Sequence, residues 1–112
     1  MFHRRQRLAA SREINRTLKQ RPYFSDFFVL KFNQTRGKNP RFAVIASTKV
    51  SKLAVERNRM KRQTRECLKE IFKDISEGVD MAITIKKKLP QDYLYIMNDL
   101  VFLLNKAFIL RR

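Results

Sequence analysis

Residues 52–74 carry no glycine or proline and consist mostly of good helix formers, which predicts one continuous helix. At ~100° per residue, Leu53, Met60, Thr64, Cys67 and Ile71 fall within about 60° of one another. An apolar stripe of that width has to be covered, so the helix must lie against something. Beside the stripe, Arg57, Lys61, Arg65 and Lys69 step around an adjacent face, with Asn58 and Arg62 among them. That face holds five cations and no acid. Glu66 and Glu70 fall on a different side, close to Lys69 and Lys73. Ordinary surface helices mix signs, because like charges four residues apart repel. A helix with this face is built to meet a polyanion. Arginine offers a fork matched to phosphate oxygens. Asn58, with both donor and acceptor, suits a ribose hydroxyl, a base edge or the orienting of the arginines.

The rest of the chain supplies what the stripe can lie on. Ser11 can cap a short helix to about Gln20, with Ile14 and Leu18 one turn apart, and Arg21-Pro22 ends it. Tyr23 to Phe32 has strand composition with a break at Ser25-Asp26. A loop over residues 33–40 joins it to a second strand, Arg41 to Thr48, and the two suggest a hairpin. Gly78 stops the basic helix, Val79–Lys86 is a further strand, and Leu89-Pro90 breaks it. Gln91 or Asp92 then opens a last helix running to the end of the chain. The order is αβββαβα without linker, repeat or low-complexity tract. The expected fold is α+β, a two-layer α/β sandwich with helices packed on a central sheet, in a single domain over residues 1–112.

Charge and composition narrow the function. The net charge is +16. Residues 1–65 carry 18 Lys and Arg against only Glu13, Asp26 and Glu56, a net +15. Residues 66–112 carry the other 8 cations and 7 acids, a net +1. The polyanion-facing part is therefore the first 65 residues. One histidine, His3, argues against a histidine-dependent triad or multi-histidine metal site. One cysteine, Cys67, excludes an internal disulfide, and its place on the apolar stripe marks it as a core residue. Two glycines, Gly37 and Gly78, form no phosphate loop. Glu66, Glu70, Asp74 and Glu77 have solvent-side helical spacing with lysines between them, not the pattern of a metal cluster. No metal site built from these acids is expected. The longest apolar run near the C-terminus, Leu100–Leu104, is far short of the ~20 residues of a membrane span. The N-terminal segment is Arg-rich without a following apolar region, unlike a secretory signal. A reduced, cytoplasmic protein is expected, without membrane or DNA partners.

Around the basic helix the residues run Ser47-Thr48-Lys49, then Ala54-Val55-Glu56-Arg57-Asn58-Arg59-Met60-Lys61-Arg62-Gln63-Thr64-Arg65-Glu66. This extended pattern, with Arg-Asn-Arg at its centre, resembles the bacterial ribonuclease P protein component. Arg7-Leu8, the first helix, Phe28-Val29-Leu30 and an Asp80-led strand extend the resemblance over essentially the whole chain. It implies a left-handed strand–helix–strand crossover carrying the basic helix, against the usual right-handed preference.

It also implies a function. The family's protein is the non-catalytic subunit of an endoribonuclease that removes the 5′ leader of precursor tRNA. Chemistry belongs to the catalytic RNA and its Mg²⁺, and the protein itself holds no tightly bound cofactor. By the family's pattern Arg57, Asn58, Arg59, Lys61, Arg62 and Arg65 would face the catalytic RNA. Ile14, Leu18, Phe28 and Lys31 would serve the leader of the precursor tRNA, and Lys49 and Lys52 would reach phosphates near the leader or the RNA. The sequence departs from the family at Ile14 and Leu18, where aromatic residues are common, and at Arg21, where glycine is common. Phe28, Phe32 and Phe42 are candidate replacement rings. A structural RNA-binding protein of ribosomal type would explain the charge equally well but not the extended pattern.

Overall fold

The computed structural model describes residues 11–35 and 39–109. The sequence readings at His3, at Arg7-Leu8 and at Gly37, and the cap expected from the Ser11 side chain, lie outside what is described. The elements in chain order are α1 (Ser11–Leu18), β1 (Tyr23–Phe24), β2 (Phe28–Gln34), β3 (Arg41–Ala46), α2 (Ala54–Ile71), β4 (Val79–Ile85) and α3 (Tyr93–Lys106). A single 3₁₀ turn, Phe72–Asp74, closes α2. The αβββαβα order is the one expected.

The four strands form one sheet in the order β1-β2-β4-β3. β1 and β2 pair antiparallel across the Ser25-Asp26 break, β2 pairs antiparallel with β4, and β4 pairs parallel with β3. The hairpin expected between the 23–32 and 41–48 segments does not form, because β4 lies between them. The reason is burial. Val79 through Ile83 and Ile85 are all buried, so β4 needs cover on both faces and both edges. β2 and β3 each keep half-exposed positions and can stand further out. The parallel β3–α2–β4 unit thus carries the basic helix across the sheet.

Registry assigns the two sheet faces. Phe28, Leu30, Phe42, Val44, Met81, Ile83 and Ile85 share the face that joins the core with Met60, Cys67, Leu68 and Ile71 of α2 and Ile96, Leu100, Leu103 and Leu104 of α3. Lys31, Asn33, Arg41, Ala43, Asp80 and Ala82 share the opposite face, across which α1 lies. The body is therefore two layers, with α1 laid over the back.

Arg41 holds α1 there. Its Nε and Nη2 donate to the Asp80 carboxylate at 3.0 and 2.8 Å, and Nη2 and Nη1 donate to Glu13 at 2.5 and 3.4 Å. Asp80 is only 4% exposed. Hydrogen bonds to Asp80 and then Glu13 raise the guanidinium pKa above its ordinary value, so the group stays charged. On α1, Thr17 is buried and its hydroxyl donates to the Glu13 carbonyl at 2.9 Å, which marks the sheet-facing side of that helix.

Element ends follow local chemistry. The Ser51 hydroxyl accepts the Leu53 N–H at 3.2 Å, so α2 starts at Ala54 rather than at residue 52. Leu53, expected on the apolar stripe, lies outside the helix in extended backbone and is 66% exposed, while Leu68 completes the stripe. Gly78 has φ +68° and its carbonyl accepts from Thr35 N–H, which makes it the turn into β4. Asp92 caps α3 by accepting the Leu94 N–H at 3.0 Å. α3 stops at Lys106 instead of continuing to the end. Phe108 adopts φ +60°, its N–H donates to the Asn105 carbonyl, and the Ile109 N–H donates to the Leu104 carbonyl. This is a Schellman closure with phenylalanine where glycine is usual. Burial of Leu104 and Ile109 offsets the cost of left-handed backbone at a side chain that is itself exposed.

Two outcomes follow. Arg41→Ala strands the buried Asp80 carboxylate and is expected to cost about 2–4 kcal/mol in urea denaturation. Glu13→Gln, at a one-third-exposed carboxylate, is expected to cost under about 1 kcal/mol. Equal losses would contradict this division. Cys67 is fully buried, and burial, helped by Glu66 and Glu70, pushes its thiol from the ordinary 9.0 up to about 11. It should resist thiol reagents at pH 8 in the folded protein and react fully in urea. The folded state holds this proton more tightly, so stability is complete below pH 9 and falls as pH rises toward 11. Rapid labelling of the native chain would contradict the packing.

Candidate nucleic-acid interface

α2 positions the predicted basic face as its register requires. Met60, Thr64, Cys67, Leu68 and Ile71 are buried, and the flank turned away from them carries the cations. Asn58 and Arg62 are exposed, and Arg57, Arg59, Lys61 and Arg65 are half-buried. Arg57 is also a strut, because its Nη1 donates to the Ser51 carbonyl at 3.0 Å and braces the turn before the helix. Lys49 and Lys52 are exposed in that same connection, where Lys49 N–H donates to the Ser47 hydroxyl at 3.2 Å. The connection therefore puts Lys49 and Lys52 directly before the N-terminal end of α2.

The few acids of the basic half are each engaged. Glu13 meets Arg41, as above. Glu56 lies 3.4 Å from Lys88 Nζ, and its pKa is lowered first by a hydrogen bond from the Ser51 hydroxyl, then by Lys88 and the charge of Arg59. Asp26 pairs with Lys87 at 3.0 Å, an exposed contact of small energetic weight. The lysine run after β4 thus supplies partners to two acids, a role the linear reading did not assign. Its signal was three consecutive lysines at the end of a strand.

The back face holds the other predicted residues. Ile14 and Leu18 are half-buried, about 100° around α1 from Glu13 and Thr17, and stand at the margin of the helix rather than in the core. Lys31 is half-buried on the sheet face that α1 crosses, level with Ala82. Phe28 is a correction. It is 0% exposed on the core face, so it cannot line a surface cleft. Phe42 is also buried, edge-on to Phe72. Phe32 is half-buried and stacked on Tyr23 at 5.7 Å. Among the rings on the described strands the exposed one is Phe24, 50% exposed, with Lys86 Nζ 5.7 Å from its centroid. Arg21 lies 5.4 Å from the Tyr23 ring. Among the described residues no group of three or more His, Cys, Asp or Glu could hold a metal ion.

Sheet, crossover and the one-signed face of α2 define a small α+β protein with a concentrated cationic surface. The family model for ribonuclease P matches residues 2–107. A ribonuclease P protein component of Finegoldia magna is 37% identical over 91 residues, covering 80% of this chain and 77% of that protein. One from Pseudanabaena is 35% identical over 71 residues, 62% of this chain and 61% of that protein. One from Cyanothece is 39% identical over 72 residues, 63% of this chain and 55% of that protein. The match thus spans under two thirds of the length of the last two relatives. In fold, the chain is similar to the ribonuclease P protein of Staphylococcus aureus, with a TM-score of 0.83 at 23% identity over 95% of this chain and 98% of that one. It is similar also to that of Thermotoga maritima, with a TM-score of 0.79 at 24% identity over 89% and 96%. The chain belongs to the ribonuclease P protein component family.

If about six cations neutralise RNA phosphates, log K against log salt should slope about −4 to −5 for RNA binding. Arg59→Ala and Arg62→Ala should each lower the magnitude by about one, with stability changed by no more than about 0.5 kcal/mol. An unchanged slope would move the contact face elsewhere.

Proposed function

We propose that the chain is the protein subunit of ribonuclease P. It binds the catalytic RNA through the α2 face and the 5′ leader of precursor tRNA through the back of the sheet, and it assists endonucleolytic removal of the leader in the cytoplasm. The observation that carries this reading is the one-signed face of α2 on a parallel crossover, in a chain whose family match covers nearly its whole length. The protein contributes positioning and charge. Arg59, Lys61, Arg62 and Arg65 neutralise phosphates of the folded RNA, and Asn58 offers directed donor and acceptor groups between them.

The leader, a single strand, runs over the face that α1 crosses. There Ile14 and Leu18 offer apolar edges and Lys31 attracts its phosphates, while Lys49 and Lys52, just before α2, reach phosphates of the leader or of the catalytic RNA. Without rings at positions 14 and 18, the stacking of ~1–3 kcal/mol per base does not come from α1. Leader grip then depends more on charge, and more on salt, than in relatives with aromatic residues at those positions. The phosphodiester is cut by the RNA subunit with Mg²⁺ held mainly by that RNA.

Reconstitution tests the reading. The full chain, added to the ribonuclease P RNA of its own organism, should raise cleavage of a precursor tRNA at Mg²⁺ concentrations where the RNA alone is slow. No gain at any Mg²⁺ concentration would overturn it.

A further inference from the structure

The start of α2 carries a feature that neither the fold nor phosphate attraction calls for. Val55 is 83% exposed and Leu53 is 66% exposed. Val55 lies about 160° around the helix from the middle of the buried stripe, which places it among the cations. Asn58, Arg59 and Arg62 follow it at three, four and seven residues, so they share its side of the helix.

Neither side chain is a frayed end. The Leu53 N–H donates to the Ser51 hydroxyl at 3.2 Å, and the Leu53 carbonyl accepts the Arg57 N–H at 3.0 Å. Arg57 Nη1 adds its bond to the Ser51 carbonyl. The nearest acid, Glu56, is drawn toward Ser51 and Lys88. A β-branched residue is a poorer helix former than alanine or lysine, so local propensity does not favour valine here.

We propose that Val55, with Leu53 beside it, is an apolar contact for an unstacked nucleotide of the catalytic RNA. The proposal rests on the reading of α2 as the surface for that RNA. Folded RNA exposes splayed bases in loops and bulges, each an apolar face bracketed by phosphates. Lys52 precedes the apolar pair in the chain and Arg59 follows Val55 by one helical turn, so cations flank the pair in the complementary way. A second copy of this chain fits poorly, because a symmetric contact would set Lys52, Arg59 and Arg62 against themselves. In this arrangement the arginines supply affinity that depends on salt, and Val55 and Leu53 supply affinity that does not.

That difference is the test. Binding of the full chain to its ribonuclease P RNA alone is titrated over a range of salt concentrations. Compared are the natural protein, Val55→Ala, the double variant Leu53→Ala/Val55→Ala, Val55→Phe and Arg62→Ala. The double variant should lose about fivefold or more in affinity at every salt concentration, with the salt slope and Tm unchanged. Val55→Phe, with a larger apolar face, should keep or raise affinity, which separates lost contact from lost helix. Arg62→Ala should change the slope. Affinity of the double variant within twofold of the natural protein would overturn the proposal, as would a slope that falls with it. A change confined to self-association in sedimentation would overturn it too, in favour of a second copy. If the natural protein ignores the RNA, the functional reading falls; if it binds and only the Val55 and Leu53 variants are silent, this contact alone falls.

Discussion

The Arg41 guanidinium donates to two carboxylates at once, Asp80 on the central strand and Glu13 on α1. Residues 13, 41 and 80 lie far apart in the chain, and this junction brings their elements together on one sheet face. Charge-assisted, paired hydrogen bonds of this kind fix orientation as well as distance. The buried Asp80 must have its partner, so β3 is held beside β4 at its first residue. The same guanidinium then holds α1 across the back of the sheet. The position of Ile14 and Leu18 relative to Lys31 depends on that tether, and so does the shape of the surface proposed for the leader.

Charge is arranged around that frame. The excess of cations in the first 65 residues would oppose compaction if it were spread evenly. Instead the three acids of that half are each drawn to a cation, two of them by lysines that follow β4. What remains on the α2 flank is of one sign. The energy of folding comes from the other side of the same helix, where Met60, Cys67, Leu68 and Ile71 meet α3 and the sheet. One helix thus serves both demands, because its apolar and basic faces do not overlap.

Much of this could be read from the chain. The 3.6-residue period placed Met60, Thr64, Cys67 and Ile71 inside and the cations outside, and both hold. Leu53 fits the same period but sits before the helix, because a serine two residues earlier takes its N–H. Phe28 and Lys31 stand an odd number of residues apart on one strand, so they face opposite sides of the sheet and cannot share a cleft. That exclusion was available from alternation, but which face was the core was not. Strand order was beyond local reading. Whether β3 pairs with β2 or β4 is decided by how much of β4 must be buried, a property of the whole sheet. The end of α3 at Phe108 was hidden for a similar reason, since the left-handed closure uses no glycine and is held by burial of Leu104 and Ile109.

In the proposed function the placement of charge, and not its amount, makes the RNA-binding surface. Two variants of equal net charge, +12 against the natural +16, test it most directly. One replaces Arg59, Lys61, Arg62 and Arg65 of α2 with glutamine, and the other replaces Arg16, Lys19, Lys73 and Lys106 elsewhere. The measurement is the Kd for the ribonuclease P RNA at one fixed salt concentration. A loss of about a hundredfold or more is expected in the first variant and no more than about fivefold in the second. Equal losses in the two would contradict it.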